Sequence, residues 1–99
     1  MQELKATDTE KHDGRLTVVV HDEDAGGEPF RIHAGPGTPV ATVIAELYRE
    51  LKTERKDGDR LTCLGSGASV FGHEREHLEQ YATHCPHLEW GWSRKTGGA

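Results

Sequence analysis

Thr38-Pro39-Val40-Ala41-Thr42-Val43-Ile44-Ala45-Glu46-Leu47-Tyr48-Arg49-Glu50-Leu51 is the stretch that decides the fold. Val40, Val43, Ile44, Leu47, Tyr48 and Leu51 recur at helical spacing. In a helix they form a single apolar stripe over about four turns. Thr38 suits the N-cap, and Pro39 suits the first helical position. The pattern stops near Lys52, before the polar run from Thr53 to Gly58. A stripe on one side of one helix must be covered by another layer.

That layer is legible on both sides of the helix. Upstream, Leu16-Thr17-Val18-Val19-Val20 is a β-branched run and reads as a strand. Acidic residues and Gly26-Gly27 then make a turn. From Glu28 to Ala34, Phe30, Ile32 and Ala34 alternate with polar residues, as in a half-buried strand. Gly35-Pro36-Gly37 breaks it. Downstream, Asp59 to Leu64 reads as a third strand, stopped by Gly65-Ser66-Gly67. Ser69-Val70-Phe71 reads as a very short strand. Residues 73–82 hold Leu78 and Tyr81 three apart, enough for a helical turn or two. Leu88, Trp90 and Trp92 alternate with Glu89 and Gly91 and read as a final strand.

The expected fold class is therefore α+β, a mixed sheet of four to five strands with one amphipathic helix packed across it. The stripe should meet Val18, Val20, Phe30, Ile32, Leu61 and Leu88. Residues 1–15 are polar and aperiodic and read as a disordered arm. Residues 16–93 make the domain, and 94–99 make a flexible tail ending Gly97-Gly98-Ala99.

Composition narrows the function classes. A chain of 99 residues fits one domain with a small core and no room for a deep catalytic cleft. The net charge of -5 argues against nucleic acid. Arg49, Lys52, Arg55, Lys56 and Arg60 gather locally, which reads as a solvated helix end and loop. No apolar run approaches the about 20 residues needed to span a bilayer, and the first residues do not form a secretory signal. The expectation is a soluble, cytoplasmic protein without contacts to membrane. Two cysteines are too few for a disulfide scaffold. Cys63 reads as a core thiol, and Cys85, before Pro86, as a loop residue open to solvent.

The C-terminal half resembles ubiquitin. Leu78-Glu79-Gln80-Tyr81 matches the Leu-x-x-Tyr turn that precedes ubiquitin's last strand. The spacing from Tyr81 to Gly97 equals the corresponding spacing in ubiquitin. Arg94 stands three residues before Gly97, where ubiquitin also has an arginine. Arg60-Leu61 and Gly65 repeat the start and end of ubiquitin's third strand, and Thr38 and Val43 lie near the helix start in a similar pattern. The resemblance covers about residues 16–98 and implies the ubiquitin-like β-grasp fold. It departs at Thr62, where ubiquitin's apolar recognition patch has an isoleucine, in the loss of most acceptor lysines, and in the leading arm. The nearest kin it suggests are modifiers of prokaryotic, bacterial conjugation systems.

What the resemblance implies is a protein modifier and not an enzyme. A peptidase would cut after Gly98 and remove Ala99. An adenylating enzyme would activate the Gly98 carboxylate, and a conjugating enzyme would pass it to target proteins. A deconjugating peptidase would reverse the step. Two glycines thread narrow active sites because they lack Cβ atoms. Arg94, Lys95 and Gly97 would be read by the activating enzyme. No cofactor is implied. Ala99 disfavours a sulfur carrier, which generally ends at its diglycine. A non-conjugated adaptor that binds through its sheet is the principal alternative. Thr62, Gly65, Trp90 and Trp92 are the candidate partner surface, although the two indoles suit the core better, since a small domain needs large side chains to fill it.

One motif competes. His73-Glu74-Arg75-Glu76-His77 fits HExxH, the zinc-peptidase signature, with His84, Cys85 and His87 following. In a helix His73 and His77 would share a face and Glu74 would be the base. The segment has almost no apolar face beyond Leu78, so it does not suit a buried catalytic helix, and no metal ligand set is expected. Asp22-Glu23-Asp24 lacks calcium-loop spacing and reads as a solvated hairpin. Gly65-Ser66-Gly67 lacks the lysine of a phosphate loop and reads as a turn.

Overall fold

The helical stripe lies on a sheet, as its one-sidedness requires. The computed structural model describes residues 15–94. The elements in order are β1 (Leu16–Asp22), β2 (Phe30–Ala34), α1 (Val40–Leu51), β3 (Arg60–Cys63), a 3-10 helix (Val70–His73), α2 (Leu78–Tyr81) and β4 (Glu89–Ser93). Of the expected arm and tail, only Arg15 and Arg94 fall among the described residues; the rest lies outside them.

The sheet order is β2-β1-β4-β3. β1 and β2 form the antiparallel hairpin, with Val18 opposite Ile32. Its loop turns through Gly26 and Gly27, both at positive φ. β1 and β4 pair in parallel, Val20 opposite Trp90. β3 runs antiparallel to β4, Leu61 opposite Trp92. Ser69 makes a single bridge to Thr62, after which the chain coils into the 3-10 helix. The short strand expected at Ser69-Val70-Phe71 is thus corrected. Val70 turns in as a fully buried plug, which a straight strand at the sheet edge would not allow.

α1 begins one residue later than expected, with Pro39 and not Thr38 at the cap and no side-chain cap bond. The physical reason is tertiary. The carbonyl of Glu76 accepts from Val40 N–H at 2.9 Å, and that of Glu74 from Ala41 N–H at 3.1 Å. These donors, orphaned at any helix start, are met by the loop before α2. Leu78 N–H returns a bond to the Thr38 carbonyl at 2.7 Å. At the other end Lys52 takes a left-handed conformation, φ 60°. Its N–H and that of Thr53 close onto the Arg49 and Tyr48 carbonyls.

The inner layer contains Val40, Val43, Ile44, Leu47 and Tyr48 from α1 against Val18, Val20, Ile32, Leu61, Trp90 and Trp92 from the sheet, all buried. Each large apolar side chain fully buried this way stabilises the fold by about 1.5–3 kcal/mol. Phe30 and Leu51 pack at the margin.

The cysteines are not what the sequence suggests. Cys63 and Cys85 form a disulfide with Cα atoms 6.0 Å apart, and both are buried. Neither a free core thiol nor an exposed loop cysteine is present. The loop before β4 doubles back, with Leu88 N–H bonded to the Cys85 carbonyl at 2.9 Å and Leu88 at φ 48°. That turn lays Cys85 over the end of β3. Among the described residues no helix is long and apolar enough to cross a membrane.

Candidate functional site

The tail leaves the domain at the end of β4, and its root is held by two aspartates from different loops. Asp24, on the hairpin, accepts from the Ser93 hydroxyl at 2.8 Å and from the Arg94 N–H at 2.7 Å. The loop that carries Asp24 is shaped by Asp22, whose Oδ1 accepts from the N–H groups of Asp24 and Ala25. The acidic hairpin is therefore more than a solvated turn.

Asp59 holds the Arg94 side chain. Its Oδ1 accepts from Arg94 Nε at 2.8 Å and its Oδ2 from Nη2 at 3.1 Å. This is a two-pronged match of guanidinium to carboxylate. Arg94 also donates to Thr53 Oγ1 at 3.1 Å and to the Glu54 carbonyl at 2.7 Å. Its guanidinium lies 5.3 Å from the Trp92 ring centroid. The Asp59 side chain is 0% exposed and that of Arg94 31%.

Two further donors converge on Asp59. Tyr48 Oη donates to Oδ2 at 2.6 Å, and Lys56 N–H does so at 2.9 Å. The Arg94 bond, followed by that of Tyr48, holds the Asp59 carboxyl well below the usual carboxylate range despite its burial. Burial, reinforced by the carboxylate, pushes the Tyr48 phenol up to about 12. A line of bonds thus runs from the core to the tail: Trp92, Tyr48, Asp59, Arg94. Sequence reading singled out Arg94 and Trp92 for other reasons. It placed Tyr48 in an apolar stripe and passed over Asp59.

The candidate partner residues separate. Trp90 is 0% and Trp92 5% exposed, so both indoles belong to the core and neither forms part of a surface patch. Thr62 is half-buried on the outer face of the sheet, opposite Gly91. Gly65 is exposed in the turn after β3. The strand alternation that buries Val18, Val20 and Trp90 turns Thr17, Val19, His21, Arg31, His33 and Glu89 outward. Thr17 bonds His33 and His21 bonds Glu89, each at 3.0 Å. This face is polar, with the exposed Leu64 at its rim. Lys95, Gly97, Gly98 and Ala99 lie outside the described residues.

The HExxH segment does not form a helix. His73 ends the 3-10 helix, Glu74 to Glu76 turn, and His77 caps α2. The helical ligand pair His73 and His77 with Glu74 as base is therefore not assembled. Glu74 pairs instead with Arg55 at 2.9 Å.

Among solved structures, the chain is similar to Caldiarchaeum subterraneum ubiquitin, with a TM-score of 0.56 and 21% identity. The match covers 87% of this chain and 100% of that one. No family model and no curated protein sequence matches the chain. At this identity the likeness speaks for the fold. With the β2-β1-β4-β3 order and α1 packed across the sheet, it shows the ubiquitin-like β-grasp fold.

Proposed function

We propose that this chain is a ubiquitin-like modifier, itself without catalytic residues, that is cut between Gly98 and Ala99 and joined to target proteins through the Gly98 carboxylate. The reading rests on one observation. A β-grasp fold ends one of its two inner strands at Ser93, pins the next residue by its backbone, and the sequence continues into Lys95-Thr96-Gly97-Gly98-Ala99. A rigid root followed by a short glycine-tipped segment suits delivery of a carboxylate into narrow active sites. Its partners are then a processing peptidase, an adenylating enzyme, a conjugating enzyme, a deconjugating peptidase and the targets. The chain is co-expressed with its neighbouring genes, and intact masses are measured. Loss of the alanine and a glycine-linked adduct are the expected results. Adducts that persist unchanged in Gly98→Ala refute the reading.

A second reading, the non-conjugated adaptor, is favoured by the engagement of Arg94. Its guanidinium is spent on Asp59, Thr53 and Glu54, so the domain itself has a use for the residue. In that case deleting residues 97–99 leaves partner capture intact, and substitutions at Thr62 or along the outer sheet face abolish it.

A further inference from the structure

The failed HExxH helix leaves a different juxtaposition. His73, Glu76 and His84 each offer a ligand atom, and these atoms all lie within 4.8 Å of one another. His73 Nδ1 is 2.7 Å from Glu76 Oε2, and His84 Nε2 is 3.8 Å from Glu76 Oε1. The two imidazoles stack loosely, centroids 5.0 Å apart and planes at 32°. We propose that these three side chains bind a divalent transition cation of the zinc class.

The chemistry and the geometry agree. Two imidazoles and one carboxylate are borderline nitrogen and oxygen donors. They suit zinc, cobalt or nickel and are too poor in oxygen for calcium or magnesium. A tetrahedral zinc with bonds of about 2.0–2.1 Å sets its ligand atoms about 3.3 Å apart. The distances of 2.7 and 3.8 Å to Glu76 fall on either side of that spacing, and all three ligand atoms lie within 4.8 Å of one another, so side-chain rotations can bring them to a common cation. Glu76 Oε1 is buried and has no hydrogen-bond partner, a vacancy that a cation would fill. Tyr81, buried against His73 with ring centroids 5.3 Å apart, has its hydroxyl in the same condition. His84 is 53% exposed, which leaves an entry path and an open fourth position.

The frame around these residues is fixed. The Glu74 and Glu76 carbonyls are bonded to the start of α1, and Glu76 N–H to the His73 carbonyl at 3.0 Å. His84 N–H is tied to the Tyr81 carbonyl at 2.8 Å, and its neighbour Cys85 is bridged to β3. The ligands are therefore brought together by the fold and not by their spacing in the chain. The set departs from the absence of metal ligands expected from sequence. It does not rest on the proposed conjugation, which would use the tail beyond Ser93.

The test is equilibrium dialysis of the full chain against zinc with metal analysis. It is paired with the visible spectrum of the cobalt-loaded protein, and circular dichroism checks folding. One equivalent of zinc and tetrahedral cobalt bands are expected. His84→Ala, on an exposed side chain, and the near-isosteric Glu76→Gln should each weaken zinc binding at least about tenfold, while His77→Ala leaves it unchanged. Absence of stoichiometric zinc overturns the proposal. So does a loss in His77→Ala with His84→Ala unaffected, which would assign binding to the linear motif.

Discussion

Trp92 donates its indole N–H to the hydroxyl of Tyr48 at 3.0 Å, and the two rings meet edge to face at 85°. The Tyr48 hydroxyl in turn donates a hydrogen bond to Asp59 at 2.6 Å. Replacing Tyr48 by Phe removes both bonds while keeping the ring. It strands a buried indole N–H, and the expected cost is about 1–3 kcal/mol. A lower urea midpoint at unchanged slope checks this.

The same pair predicts an alkaline limb. The Tyr48 pKa is raised by folding to about 12, against about 10 in an unfolded chain. The stabilisation is complete below about pH 10 and is lost as the pH climbs from there towards the folded value. Thermal midpoints measured across this range should fall in the wild type and fall less steeply in Tyr48→Phe.

Asp59 predicts an acid limb of opposite sense. Its folded pKa lies below that of an unfolded aspartate, about 3.9. Its stabilisation is therefore present above about pH 4 and drains away as the pH falls further. Asp59→Asn should cost about 2–3 kcal/mol at neutral pH, since it leaves Arg94 without its charged partner, and should flatten the acid limb. Denaturant titrations at pH 7 and pH 3 distinguish the two proteins.

The disulfide closes a loop with a sequence separation of 22. On loop entropy alone it contributes about 3 kcal/mol. Reduction, or Cys63→Ser with Cys85→Ser, should lower the unfolding free energy by about that amount without abolishing the fold. Trapping thiols in fresh extracts should show in which compartment the bond persists, because such bonds are rare in a reducing cytosol.

Lys52 offers a gain. It holds φ 60° with a full side chain, a conformation costly to any residue but glycine. Lys52→Gly should stabilise the domain by about 0.5–1 kcal/mol, read as a raised thermal midpoint.

Much of the architecture was legible because it is periodic. Val40 to Leu51 announced a one-sided helix. The alternations at Phe30 to Ala34 and Leu88 to Trp92 announced strands, and order and spacing then pointed to ubiquitin. The root of the tail was not legible, because it is built from contacts between residues 11, 35 and 44 positions apart, Tyr48–Asp59, Asp59–Arg94 and Tyr48–Trp92. No local pattern marks Asp59 among the chain's 17 acidic residues. HExxH could be set aside for the converse reason. It is a local pattern whose helix needs an apolar face, and without one the segment turns and gives its carbonyls to α1. The same lack of a long-range signal hid the Cys63–Cys85 bond and the approach of His84 to Glu76.

The parallel pairing of β1 with β4 sets the first strand among the described residues beside the last. During synthesis, β1, β2 and α1 emerge long before Trp90 and Trp92 exist to cover them. Their apolar faces must wait for β4, and the closing step joins the two described strands farthest apart in sequence, the slow kind of contact to form. A truncated product that lacks β4 has nothing to join β3 to the β1–β2 hairpin. Only a completed chain seats the strand from which the glycine tail extends.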